Sequence, residues 1–184
     1  MVSIRLIQPT DWQGLYNLID SVDKSMVGMY SSTEELVEDW INTIDMGIWE
    51  VHVAVLPPDE RKKPKRKIFP RLRLKTNTSG IIGVITLYAD WEYEEDIEKG
   101  EFDIGITVAK QYQQKGIGKR LLNFIIDRGK ELKLEKATLW TRVDNIPMIK
   151  LAQRMGFQQG KSRTKHGFDW IQFVLELNKE KEED

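Results

Sequence analysis

The chain of 184 residues contains no cysteine and only two histidines, His52 and His166. The first absence excludes disulfides, zinc ribbons and a thiol nucleophile together, and the second leaves little for a histidine-based metal site or a Ser-His-Asp triad. Long apolar runs are missing too. None approaches the roughly 20 residues that a helix needs to cross a bilayer, and Met1-Val2-Ser3-Ile4-Arg5 lacks the basic, apolar, small order of a secretory signal. A soluble, cytoplasmic protein is the expectation. Excess charge of one sign is absent as well: 28 Lys and Arg stand against 29 Asp and Glu, and hydrophobic residues make up 40%. Neither wholesale disorder nor a polyanion-coating protein fits that balance. Any chemistry must therefore come from carboxylates, hydroxyls, amines and backbone groups.

The length suits one domain, over residues 1–177, followed by a frayed charged tail at 178–184. Short apolar alternations and helical stretches take turns, which points to an α/β architecture with a sheet covered by helices. Met1 to Ile7 reads as a strand. Thr10 is placed to cap a helix in which Leu15, Leu18 and Ile19 form the buried stripe. Ser32-Thr33-Glu34-Glu35 has the spacing of a capping box and opens a second helix to about Ile44. Trp49 to Leu56 and Gly80 to Tyr88 read as strands able to form a hairpin. Phe102 to Val108, Lys136 to Val143 and Trp170 to Leu177 are further strands, with a helix from about Ile146 to Met155 between the last two.

Two segments carry biased charge. Pro57 to Ser79 (57–79) is an insertion in a strand-strand connection, and its part from Arg61 to Lys75 holds nine cations without an acid. It reads either as a contact for nucleic acid or an acidic protein, or as a solvated hairpin extension, in which Ile68, Leu72 and Leu74 allow extra strand pairing. The near absence of aromatics there argues against base stacking. Ala89 to Glu101 is acidic, with Asp90, Glu92, Glu94, Glu95, Asp96, Glu98 and Glu101 diluted only by Lys99.

The stretch richest in chemistry is Ile104-Gly105-Ile106-Thr107-Val108-Ala109-Lys110-Gln111-Tyr112-Gln113-Gln114-Lys115-Gly116-Ile117-Gly118-Lys119-Arg120. It reads as a strand, a short loop and a glycine-punctuated helix start. The amides at such a start lack intrahelical partners, and the helix dipole presents positive charge, so phosphate oxygens find several donors at once. The glycine spacing fits neither the dinucleotide fingerprint nor the Walker loop. A second block, Asn145-Ile146-Pro147-Met148-Ile149-Lys150-Leu151-Ala152-Gln153-Arg154-Met155-Gly156-Phe157, follows. Taken alone it is an ordinary capped helix with proline in its first turn and glycine after its end.

In this order and separation the two blocks resemble the GNAT N-acetyltransferase superfamily. The resemblance is carried from about Ile81 through Leu177, with a plausible match over the whole chain. It implies a mixed, mostly antiparallel central sheet wrapped by about four helices, with two central strands, here Phe102 to Val108 and Lys136 to Val143, splayed apart. Acetyl-CoA is the implied co-substrate, with no metal. Gln113, Gln114, Lys115, Gly116, Ile117, Gly118 and Lys119 would wrap its pyrophosphate. The backbone of Ile106, Thr107 and Val108 would pair with the pantetheine arm, and Asn145 would hold the pantetheine side.

The implied activity is transfer of an acetyl group to a primary amine of a cationic small molecule or a protein lysine, directly in a ternary complex. A lysine-like amine, with a pKa of about 10.4, must lose a proton before it attacks. Asp103 is the preferred base or proton relay and Glu101 the reserve, while the Val108 amide would polarise the thioester carbonyl. His52 alternates against valines on a strand, and His166 sits in the loop before the last strand. Two departures stand out. Many relatives carry a tyrosine general acid where this chain has Ala152, leaving Tyr30, Tyr88, Tyr93 or water. Relatives that acetylate protein N-termini often have a glutamate where Trp140 stands. Residues Ser21 to Ser31 and Asp90 to Glu101 would form the acceptor entrance, an acidic rim in which Trp91 and Tyr93 could stack on a cation. The competing reading is a non-catalytic acyl-CoA-binding regulatory module. Assembly state is left open, a homodimer among the options.

Overall fold

The computed structural model describes residues 1–22, 32–42, 49–61, 79–89 and 97–177. Among them a sheet of seven strands runs through β1 (Ser3–Leu6), β2 (Trp49–Val55), β3 (Ile81–Tyr88), β4 (Glu101–Val108), β5 (Lys136–Arg142), β6 (Gln158–Lys165) and β7 (Phe168–Glu176). Their spatial order is β1-β2-β3-β4-β5-β7-β6. The pairing of β4 with β5 is parallel and the other five are antiparallel. Four α-helices accompany it among the described residues: α1 (Trp12–Asp20), α2 (Thr33–Asn42), α3 (Ile117–Glu131) and α4 (Ile146–Arg154). None is long and apolar enough to cross a membrane.

The helices cover the two faces of the sheet, and the sequence of β3, Ile81-Ile82-Gly83-Val84-Ile85-Thr86-Leu87-Tyr88, shows it. A strand buried on both sides reads as continuous apolar sequence rather than alternating. On one face Leu15, Leu18 and Ile19 of α1 and Leu36, Val37 and Trp40 of α2 pack over Val51, Val53 and Val84. On the other, Leu121, Leu122 and Ile125 of α3 and Ala152 of α4 pack over Ile85, Phe102, Ile104, Leu139 and Phe173. Each fully buried leucine or isoleucine contributes about 1.5–3 kcal/mol by leaving water. Arg128 and Lys130 lie in the last turn of α3, where cations complement the negative end of the helix dipole.

The hairpin expected of the strands around the basic insertion is present as β2 against β3, and Ser32 caps α2, its Oγ accepting from the Glu35 amide at 3.1 Å. Two expectations change. Thr10 does not cap the first helix: Pro9–Asp11 form a 3-10 turn and α1 begins at Trp12. Asp11 does the local work, its carboxylate accepting from the Gln8 amide at 2.9 Å and from Arg5. The loop expected before the last strand is instead β6, whose outward residues are polar because it is a sheet edge. It joins β7 through His166 and Gly167, both at positive φ (53° and 76°). A two-residue turn of that kind matches the twist of a hairpin. The possible strand at Ile68, Leu72 and Leu74, most of the basic block, the acidic residues 90–96 and the tail 178–184 lie outside the described residues.

Candidate functional site

The centre of the sheet is open. Strands β4 and β5 pair only at Glu101 with Lys136, Phe102 with Ala137 and Asp103 with Thr138. Past that seam β4 continues to Val108 and β5 to Arg142, and no pairing joins them. Successive residues of a strand turn their amide and carbonyl to opposite edges. The Ala109 amide donates to the Ile82 carbonyl at 2.9 Å, and the Gly105 amide donates to Thr86 Oγ1 at 3.0 Å, so odd positions serve β3. Ile106 and Val108 therefore present their backbone to the opening. Of the three residues expected to pair with pantetheine, Thr107 alternates toward β3, where its register partner is Val84. The Val108 carbonyl accepts from Gln113 Nε2 at 3.0 Å, which ties the loop after β4 to the rim of the opening.

That loop delivers the chain to α3 through a 3-10 turn at Lys110–Tyr112, with Gln114 at φ 58° and Gly116 at φ 79° as the residue before the helix. Glycine adopts this left-handed conformation without steric cost, and here its missing side chain leaves open space, no atom among the described residues standing within 4 Å of where a Cβ would lie. Gln113 to Gly116 are exposed, the first turn of α3 holds no acid, and Lys115 stands 5.4 Å over the Tyr112 ring. Arg120 is committed elsewhere, donating to the Val2 carbonyl at 2.7 Å. Gly118 faces α4: a Cβ there would sit 3.1 Å from Leu151 Cδ2. Asn145 caps α4, its Oδ1 accepting from the Met148 amide at 3.3 Å.

The two expected carboxylates share one face of β4. Phe102 packs against Gly129 of α3, so its neighbours Glu101 and Asp103 point to the opposite side of the sheet from α3. Their environments differ. Glu101 is buried, paired with Lys136 Nζ and accepting from the Glu98 amide at 3.2 Å. Its hydrogen bond holds the Lys136 ammonium above its ordinary pKa, with burial opposing. Asp103 is half-buried at the tip of the opening, and Thr138 Oγ1 donates to its Oδ1 at 3.0 Å. Its register partner across β3 is Tyr88, whose ring meets Trp49 edge-on at 5.1 Å. On β5, Trp140 carries the Arg163 guanidinium 4.0 Å over its ring. His52 is remote from this group: it meets Phe124 of α3 edge-on at 4.8 Å, and burial lowers its pKa.

The model of the acetyltransferase (GNAT) family matches residues 33–157. The chain belongs to that family. It is 39% identical over 69 residues to a probable spermine N(1)-acetyltransferase of Bacillus subtilis subsp. natto, a match over 36% of this chain and 45% of the relative. The chain thus spans less than half of that curated relative's length. NAA60 of Arabidopsis thaliana in complex with acetyl-CoA shares the fold with a TM-score of 0.71 and 20% identity, over 97% of this chain and 99% of that one. A spermidine N-acetyltransferase chimera of Vibrio cholerae and hSSAT does so with a TM-score of 0.66 and 17% identity, over 96% of each chain.

GNAT enzymes use acetyl-CoA as co-substrate and need no metal. Ala152, expected at the family's tyrosine position, lies in α4 and is fully buried in the core. Tyr30 and Tyr93 lie outside the described residues, so Tyr88 is the expected tyrosine that the described structure brings beside Asp103. Thr138 escaped the sequence reading. A threonine on a strand looks like an ordinary β-former, and only the parallel register reveals that it meets Asp103.

Proposed function

We propose that the protein is an acetyl-CoA-dependent N-acetyltransferase that moves the acetyl group to a primary amine of a cationic small molecule or a protein lysine. The observation that carries this reading is a carboxylate, Asp103, fixed at the tip of a sheet opening whose far end leads to an exposed, acid-free helix start. The residues fit the co-substrate. Gly116 leaves space at the α3 amides, Lys115 and Lys119 add positive charge, and the Ile106 and Val108 backbone supplies an edge that β5 does not pair, of the kind an extended arm completes. Acetyl-CoA supplies the activated acyl group.

Asp103 takes the proton from the incoming ammonium or relays it to water. The freed amine forms the new N–C bond at the thioester carbonyl, whose oxygen accepts from the Val108 amide as negative charge develops, and the C–S bond breaks to release the thiolate, which takes a proton from water or Tyr88. Glu101 is better suited to fastening the seam, since its carboxylate already serves Lys136 and the Glu98 amide. Transfer is direct, because the chain has no cysteine to carry the acyl group between substrates. The spermine and spermidine acetyltransferases among the similar proteins support a cationic acceptor.

Release of free CoA thiol across polyamines, lysine peptides, N-terminal peptides and amino sugars tests the proposal, with calorimetry for acetyl-CoA alone. Turnover with one amine class, reduced about a hundredfold in Asp103→Asn, is expected. Absence of acetyl-CoA binding would overturn the reading. Tight binding without turnover on any amine would favour a non-catalytic acyl-CoA-binding module, which the buried Ala152 at the tyrosine position supports.

A further inference from the structure

We propose that Thr138 is a positioning residue for acetyl transfer, its hydroxyl fixing the plane of the Asp103 carboxylate at the tip of the opening. This rests on the reading of Asp103 as the base.

The geometry is specific. Thr138 is buried and occupies the last register position before β4 and β5 part. Its single hydroxyl proton lies between two acceptors, the Phe102 carbonyl at 3.3 Å and Asp103 Oδ1 at 3.0 Å. The shorter contact goes to the charged oxygen, where a hydrogen bond is strongest. An aspartate rotates softly about its second side-chain torsion, so a donor held by a buried strand limits that rotation. The two charged neighbours one row away are engaged with each other. On β4, Glu101 points to the same side one row away and is taken by Lys136. On β5, Lys136 is held by Glu101, with Glu98 at 3.8 Å. On β3 the register partner of Asp103 is Tyr88.

A purely structural role makes a different forecast. If Thr138 only zips the seam, removing its hydroxyl loosens the opening and the change falls on acetyl-CoA affinity. If it positions the base, the change falls on turnover. Thr138→Val keeps the shape and removes the hydroxyl, and Thr138→Ser restores it. We expect Thr138→Val to lower kcat roughly tenfold, the loss of one hydrogen bond to a charged group, with the acetyl-CoA Kd within about twofold of wild type and Thr138→Ser recovering most of the rate. The acid limb of the kcat/KM profile should move to higher pH, because the lost donor favoured the ionised carboxylate. In Asp103→Asn, adding Thr138→Val should cost nothing further.

The assay uses the amine that turns over fastest, with thermal melting as a check on folding and Thr138→Ala in reserve if valine disturbs it. Wild-type kcat and an unmoved acid limb in Thr138→Val would overturn the proposal. A loss carried entirely by acetyl-CoA affinity would also overturn it and leave Thr138 a structural residue. Failure of the base reading looks different: Asp103→Asn would then retain the rate, whatever Thr138 does.

Discussion

Gly129 lies in the fourth turn of α3, where alanine would ordinarily be the better residue by about 1 kcal/mol. The structure predicts the opposite sign. A Cβ on Gly129 would stand 2.5 Å and 2.6 Å from Cε1 and Cζ of Phe102 and 3.3 Å from Leu177 Cδ1. Ordinary carbon contacts begin near 3.5 Å, so the ring must retreat by about 1 Å, and Phe102 is fully buried in the core with little room to do so. Overpacking of this kind costs about 1–3 kcal/mol. Taking about 2.5 kcal/mol and subtracting the propensity gain leaves Gly129→Ala destabilised by about 1.5 kcal/mol. At about 2–4 °C per kcal/mol for a domain of this size, the melting temperature should fall by roughly 3–6 °C. Calorimetric melting and urea unfolding measure it. Phe102→Leu withdraws the offending ring atoms, so in that background Gly129→Ala should be neutral or stabilising, giving a coupling between the two sites. A Gly129→Ala variant as stable as wild type, with simple additivity in the double variant, would refute the contact as the cause.

Gly118→Val should weaken acetyl-CoA binding by about tenfold in calorimetry, because a Cβ there already approaches Leu151 to 3.1 Å and branching presses α3 away from α4; unchanged affinity would remove this helix start from the cofactor site. Lys136→Met should cost about 2 kcal/mol by stranding the buried Glu101 carboxylate, and adding Glu101→Gln should recover most of that loss in urea titrations. His52 makes stability fall as the pH drops. Burial, opposed by Glu50 and assisted by Arg128, lowers its pKa in the fold, so below about pH 6.5 the unfolded chain takes up a proton that the native state resists. The loss begins near that pH and levels off below the native pKa, and His52→Gln should flatten this part of the stability profile; parallel profiles would show that His52 does not titrate differently in the two states.

What could be read from sequence was whatever local chemistry decides. The glycines and glutamines from Gln113 to Gly118 announce a turn into a helix start, and Ser32 and Asn145 announce caps, because these signals act over a few residues. The hairpin of β2 and β3 was legible from two apolar runs of similar length. Strand β6 was not, since an exposed edge strand such as Gln158-Gln159-Gly160-Lys161-Ser162-Arg163-Thr164-Lys165 has no apolar alternation, and its pairing with β7 supplies the order. Thr10 misled because Asp11, one residue later, answers both Arg5 and the Gln8 amide. Within the site, Asp103 is singled out through the family resemblance, whereas Thr138, 35 residues further on, meets it only through the parallel register. The same register distinguishes Ile106 and Val108 from Thr107, a difference that depends on which edge of β4 is paired.

Sheets are generally softest at their rims and best protected in the middle. Here the middle holds a weak line of its own, because the antiparallel group β1 to β4 and the group β5, β7 and β6 share three register pairs. Amide protons in the middle of the molecule, at Ile106 and Val108, should exchange with solvent sooner than those of β3 or β7, which have strands on both sides. An extended ligand lodged in the gap would act as the missing strand, joining the two groups into one continuous ladder. The loaded protein would then be stiffer than the empty one along its own midline.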